Sequence, residues 1–179
     1  MRWEQLFDDL AARGAAEVRL DRAAEVADRL TAELAQIDLS RRFRASATVA
    51  MDLVDGSHVV GAPVAAGPGW LLLDAATPSP SPAQVLVVAA AVESVTGLGE
   101  RVAAEPGPLE SRESLVLALR AVARADATVL LRTRSGRHLR GRLSRVGADH
   151  VDVDLDGGVG TRHRRTVPFS ALVCVEQVA

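Results

Sequence analysis

Lysine, asparagine and tyrosine are absent from this chain of 179 residues, and isoleucine occurs once, at Ile37. Cysteine also occurs once. Cys174 sits in the apolar run LVCV with no partner for an intrachain disulfide, so its expected state is a buried thiol in a reducing compartment. Long apolar runs are missing too: the longest without a charge is VLVVAAAV at 85–92, far below the ~20 residues of a membrane-spanning helix. The N-terminal stretch MRWEQLFDDLAARG has acids where a secretion signal needs an apolar segment. These absences point to a cytoplasmic, soluble protein with no membrane partner.

What is present is a chain that is 48% hydrophobic and 25% charged, enough to bury a core in one ordinary domain or two small ones. All 21 basic residues are arginine, a bias of the kind that high-GC bacterial genomes, such as those of actinobacteria, encode. That bias lowers the weight of arginine richness as a sign of function. Its distribution says more. Residues 1–110 carry 9 arginines against 16 acids, and residues 111–179 carry 12 against 7. Two parts of opposite sign either meet each other or meet different partners.

Sliding the chain against itself by 80 positions reveals a repeat. The stretch from Ala45 to Asp74 falls without a gap on Ala125 to Asp154, and Ala45, Ala47, Thr48, Val49, Gly56, His58, Gly61, Gly67 and Asp74 all recur. Val87, Ala91 and Val95 recur as Val167, Ala171 and Val175. Matched glycines mark turns and matched valines mark buried positions, so a fold unit is repeated.

Each unit reads as five short strands. In the second, Val129, Leu131 and Thr133 alternate with Leu130, Arg132 and Arg134; Leu139, Gly141 and Leu143 alternate with Arg140, Arg142 and Ser144; Val151, Val153 and Leu155 alternate with His150, Asp152 and Asp154. Period two is the pattern of half-buried strands. Turn signals stand at Ser135-Gly136 and Val146-Gly147. Loops of differing character follow, ATPSPSPAQ and DGGVGTRHR, then a strand ending at Val167, a tight turn at PFSA and a last strand LVCVEQV. A helical stretch precedes each unit: DLSRRFRA, and SRESLVLALRAVARA with Leu115, Leu119 and Val122 on one face.

A helix followed by five bent antiparallel strands, the last two joined tightly, resembles the Sm-like and SH3-like small barrels. LRGRLSRVGADHVDVDL is similar to the first Sm motif, with its glycine in the second strand and an aspartate at the next turn. The resemblance covers some two-thirds of the chain. Asp152 stands near the place where Sm proteins carry an RNA-contacting asparagine, TVPFSAL lacks the Arg-Gly pair of the second Sm motif, and VPFSALVCVE is closer to a PRC-type barrel. The resemblance therefore implies the fold more strongly than it implies an RNA site.

The expected organisation is mainly β with an α-helical N-terminal segment over 1–37, a small five-stranded barrel over 38–98, a linker over 99–108 and a second barrel over 109–179. The N-terminal segment reads as two helices, one with Trp3, Leu6, Phe7 and Leu10 on one face, the other capped by Asp21 with Ala23, Val26, Leu30, Leu34 and Ile37. Such a stripe packs against a core or forms a helical dimer seam.

The stretch RTRSGRHLRGRLSR at 132–145 contains no acid. If Leu131, Thr133, Leu139 and Leu143 all face inward, its hairpin needs an odd-numbered loop. A loop of Ser135 to Arg137 sets Arg132 opposite Arg140 and Arg134 opposite His138. A second odd loop, Val146 to Ala148, sets Arg142 opposite Asp152 and Arg140 opposite Asp154, a surface ladder of weak ion pairs. That arrangement leaves Arg132, Arg134, Arg137 and Arg145 uncompensated, together with Arg162, Arg164 and Arg165 in the loop before the fourth strand. These seven are the candidate nucleic-acid contacts, because guanidinium groups bind phosphates bidentately. Phe169 is the unit's one aromatic, which disfavours binding by base stacking.

The first unit differs at matched positions: Ala50, Asp52, Val54, Val60 and Ala62 make a nearly apolar outer face that needs a cover or a partner. His58 and His138 stand at one hairpin position without a second ligand at metal spacing. Neither DGGVG nor AGPG lies between a strand and a helix as a phosphate loop does, and Ser170 has no nucleophile elbow. The function expected is therefore a non-enzymatic bacterial binding module, without metal or cofactor, contacting RNA or DNA through the basic face of the second barrel. The alternative is a protein interaction or assembly module that binds an acidic protein partner or forms a homo-oligomer through barrel edges.

Overall fold

The computed structural model describes residues 37–76, 83–104, 114–156 and 162–178, together with residue 25. The chain falls into two compact units, 1–38 and 39–179, and every described strand belongs to the second. The two N-terminal helices expected over 2–37 lie outside the described residues apart from Glu25, which is helical, and Ile37.

The second unit is mainly β. A short helix α1 (Leu39–Arg44) leads into β1 (Val49–Leu53), β2 (His58–Gly67), β3 (Trp70–Ala75), β4 (Ala83–Val88), a 3-10 turn at Ala89–Ala91, and β5 (Val92–Thr96). The second half repeats this with α2 (Leu115–Arg124), β6 (Val129–Thr133), β7 (His138–Val146), β8 (His150–Asp156), β9 (Arg162–Pro168), a 3-10 turn at Phe169–Ala171, and β10 (Leu172–Gln177). All pairings are antiparallel, and the ten strands form one open sheet in the order β5-β1-β2-β3-β4-β10-β6-β7-β8-β9. The expected tandem thus takes the form of two five-stranded sets within a single sheet, joined where β4 pairs with β10.

The repeat extends to register. Val49 pairs with Gly61 and Val129 with Gly141; Trp70 with Val88 and His150 with Pro168. A bulge falls between Pro63 and Ala65 in the first half and between Leu143 and Arg145 in the second. Tertiary bonds repeat as well: Val54 N–H donates to the Ala91 carbonyl as Arg134 N–H does to that of Ala171, and Ala89 N–H donates to Gly69 as Phe169 N–H does to Asp149. Two matched glycine pairs have a physical requirement. Gly56 and Gly136 adopt φ of +78° and +74° in their hairpin turns, a region costly for other residues. Gly61 and Gly141 lie so close to the next strand that a Cβ would collide with the carbonyl oxygens of Asp74 and Asp154.

Two registers differ from expectation. At the first hairpin Thr133 N–H donates to the Arg137 carbonyl, and the Arg137 N–H donates to Thr133 Oγ1 at 3.2 Å. The loop is odd, as inward parity requires, but it consists of Arg134 to Gly136, so Arg132 faces His138 rather than Arg140. At the second turn the bulge sets Arg142 opposite Asp154 and Arg145 opposite Asp152. The expected pairs of Arg142 with Asp152 and Arg140 with Asp154 do not form. Arg162, Arg164 and Arg165 also lie in β9 rather than in the loop before it.

Most of the inward set is buried as its alternation predicts: Val129, Leu131, Thr133, Leu143, Val151 and Val153 are all below one-tenth exposed, while Leu139 and Leu155 are half-buried. At the junction both faces are covered, so β4 and β10 carry the continuous runs Val85–Val88 and Leu172–Val175 in the core. α2 packs through Leu119, which is fully buried, with Leu115 and Val122 beside it. α1 packs through Phe43, also fully buried, and its arginines reach main-chain carbonyls of the following segment: Arg41 Nε donates to Ala103 and Arg44 Nη2 to Ala104, both at 3.2 Å. No helix among the described residues is long and apolar enough to cross a membrane.

Candidate nucleic-acid interface

The sheet separates the seven candidate arginines into three groups. The first group is structural. Arg132 is half-buried on β6, where its Nε donates to Cys174 Sγ at 2.9 Å across the β6·β10 pair. The same guanidinium attracts Asp55 in the first repeat's hairpin. Burial pushes the Asp55 carboxyl up, but bonds from the Ser57 hydroxyl and N–H and the attraction of Arg132 outweigh it, leaving a pKa below the usual value. Arg134 Nη2 donates to the Ala90 carbonyl at 2.6 Å, reaching the 3-10 turn of the first repeat. Arg134 thus reaches across to the first repeat, while Arg132 is bonded within its own repeat and acts on the first through its charge.

The second group lies on β9. Arg164 pairs with Asp154 at 2.8 Å through Nε and at 3.4 Å through Nη2, which raises its pKa. Arg165 pairs in register with Val153, so it lies on the opposite sheet face from Arg164, and it is exposed. The Arg162 backbone pairs with Asp156. Beside them Asp152, only 8% exposed, accepts a bond of 2.6 Å from Thr166 Oγ1.

The third group is Arg137 and Arg145, both exposed, and neither has an ion pair among the described residues. Arg140 joins them. The sequence reading assigned it to Asp154, but Asp154 is taken by Arg164, and Arg142 pairs instead with Asp126 at 2.9 Å. Arg140 is therefore exposed on β7 without a carboxylate partner among the described residues. Its availability was hidden from sequence reasoning because β7 pairs with β8 two positions further along than expected, with Arg142 rather than Arg140 opposite Asp154.

The first repeat carries different chemistry at the same places. Arg132, His138 and Cys174 correspond to Asp52, His58 and Ser94. Asp52 accepts from His58 Nδ1 at 2.8 Å and from Ser94 Oγ at 2.5 Å, and these two bonds hold its carboxyl below the usual range. The carboxylate stands between imidazole and hydroxyl. A relay that activates serine needs the imidazole between the other two, so this trio orients side chains and does not generate a nucleophile. Because its pKa is depressed, Asp52 contributes stability that is present above pH 4 or so and is lost as pH falls through the folded value. A carboxyl titration followed by NMR is expected to place the Asp52 midpoint below the ordinary aspartate value.

Comparison with protein-family models, curated proteins and solved structures finds no match. The site must be argued from its own geometry.

Cys174 is fully buried, and burial pushes its thiol up to about 11, with Arg132 pulling modestly the other way. Since the thiolate is the reactive form, the native protein is expected to resist thiol reagents at pH 8 and to react stoichiometrically in denaturant. Rapid native labelling would contradict the packing of β10. Among the described residues no group of three His, Cys, Asp or Glu side chains could hold a metal. A cleft of about 530 Å³ opens between α2 and the outer face of β3 and β4, lined by Trp70, Leu72, Leu86, Leu117, Ala121 and Val129 among others. On the same outer face, at β2, Val60 and Ala62 are exposed among the described residues.

Proposed function

We propose that this chain is a non-enzymatic bacterial binding module in which the second repeat grips the phosphates of RNA or DNA through Arg137, Arg140 and Arg145. One observation carries the reading. These three exposed guanidiniums have no carboxylate partner among the described residues, and the first repeat has Ser57, Val60 and Ala65 at the same places. Unpaired cations on one copy of a duplicated unit alone are the electrostatic footprint of an anionic ligand at that copy, and this supports the reading. Each half, with a helix ahead of five antiparallel strands and a 3-10 turn between the last two, is read as a small barrel of the Sm-like or SH3-like kind, in which β7 is the long bulged second strand. With few aromatics, the grip reads backbone charge rather than bases.

Fluorescence anisotropy with labelled RNA and DNA tests this. Binding is expected to weaken steeply with salt, and Arg137/Arg140/Arg145→Ala is expected to reduce the slope of log K against log salt by roughly 2–3, the value for three phosphate contacts. Arg132→Ala serves as the contrast: it should lower stability and leave the slope unchanged. No binding at low salt, or equal binding by the triple variant, sinks the reading. Displacement by an acidic peptide but not by nucleic acid would transfer the same face to an acidic protein partner.

A further inference from the structure

The cleft of about 530 Å³ lies where the two repeats meet, and its volume is in the range of small-molecule sites. Its floor comes from both: Trp70 and Leu86 from the first repeat, Val129 and Val175 from the second, each no more than 5% exposed. α2 forms one wall, where Leu117 and Ala121 are exposed. The second repeat has His150 and Thr166 at the places of Trp70 and Leu86, so the apolar floor belongs to the junction alone. We propose that this cleft binds a single-chain amphiphile with a carboxylate head, a fatty-acid anion.

Strand register makes the cleft polar at one end and apolar at the other. β4 and β10 pair through Leu86↔Val175 and Val85↔Glu176, so the next row sets Gln84 opposite Gln177, and Gln177 pairs in turn with Val129. Arg124 ends α2 shortly ahead of Val129 and brings a guanidinium to the same end of the lining. Trp70 stands opposite Val88, which is roughly 13 Å along β4 from Gln84 at the usual rise per residue. A hydrocarbon chain laid from the two glutamines toward the indole passes over Leu86 and Leu72, which share one face of the sheet, and takes its methylenes out of water there.

Charge selects the head. Among the described residues, Arg124 is the one charged group of the lining. It is exposed and has no ion pair among the described residues, since the neighbouring acid Asp126 is taken by Arg142 at 2.9 Å. Asp74 lies outside the lining and accepts a bond from the Gln84 amide at 3.2 Å. A single guanidinium with no opposing acid calls for one negative charge. A carboxylate supplies one and accepts two parallel N–H bonds from the guanidinium fork, whereas a phosphate monoester carries nearly two. A cationic amphiphile meets Arg124 with repulsion.

The full chain carrying Trp3→Phe tests this, because Trp70 is then its only tryptophan and reports from the cleft floor. Titration uses straight-chain fatty acids from octanoate to palmitate, below their micelle concentrations. Trp70 emission is expected to change saturably at one ligand per chain, with affinity rising up to about fourfold per added methylene until the cleft is full. Arg124→Gln is expected to weaken the carboxylates by roughly two- to fivefold, the weight of an exposed ion pair, and to leave the matching straight-chain alcohols unchanged. Ala121→Phe places a ring in the cleft from an exposed helix position and is expected to abolish binding, with an unaltered circular dichroism spectrum to show that it folds. No saturable change at any chain length, or undiminished binding by Ala121→Phe, overturns the proposal. An Arg124→Gln variant that treats acids and alcohols alike overturns the carboxylate head. No readout involves nucleic acid, and Arg137/Arg140/Arg145→Ala should bind fatty acid like the parent, so failure here is distinct from failure of the phosphate grip.

Discussion

Phe43→Ala is expected to lower the unfolding free energy by about 3–5 kcal/mol, the range for deleting a fully buried aromatic side chain. Phe43 has no exposed surface and is the one buried residue of the six-residue α1. A helix of that length has no stability of its own, so its position depends on this ring. Losing the ring leaves a cavity under α1 and also frees the segment around Gly99 to Ala104, which Arg41, Arg42 and Arg44 hold by their main-chain bonds. At roughly 2–4 °C per kcal/mol for a chain of this size, the melting temperature should fall by about 6–20 °C. Denaturant unfolding measures it. A loss below about 1 kcal/mol would mean that α1 is held by something other than Phe43.

Gly141→Ala should cost about 3 kcal/mol, at the upper end of the range for overpacking. The new methyl would meet the carbonyl oxygen of Asp154 on β8, and a main-chain atom inside a ladder cannot step aside without opening the pairs around it. Gly61→Ala should cost as much, because the Asp74 carbonyl stands in the same relation to Gly61. Gly136→Ala is the calibrating variant. Its Cβ would meet nothing within 4 Å, so the cost reduces to the left-handed φ of +74°, about 1–2 kcal/mol. Equal losses at Gly136 and Gly141 would show that the close approach of β7 and β8 is not tight in solution. Hydrogen exchange offers a second view: Gly141→Ala should raise exchange along β7 and β8, the strands that set Arg140 and Arg145, before the first repeat responds.

Several features of the fold were legible because their causes are local. Alternation identified the inward residues of β6, β7 and β8, and inward Thr133 and Leu139 required an odd hairpin loop. Parity is blind to where that loop begins. The Thr133 hydroxyl decided it by bonding the Arg137 N–H, which moved Arg132 onto His138. The bulge at Ser144 breaks the alternation, with Leu143 and Val146 on one face three residues apart, but so close to the Val146-Gly147 turn signal that the break passes for the end of the strand. The candidate site suffered from the second shift, since Arg140, expected in an ion pair, is exposed; separately, Arg164, expected in a loop, is paired on a strand that begins at Arg162.

By itself the sequence determined the repeat, its strands, the glycines at its turns and close approaches, and the opposite charge of the two halves, because each depends on neighbours within a few residues or on matched positions. Only the tertiary structure decided how the arginines divide. Arg132 and Arg140 look alike as outward strand positions, yet the pairing of β4 with β10 brings the first repeat against one and leaves the other in water. That pairing joins segments some 90 residues apart in sequence, and main-chain hydrogen bonding between distant edges leaves no signature in the side chains that flank it.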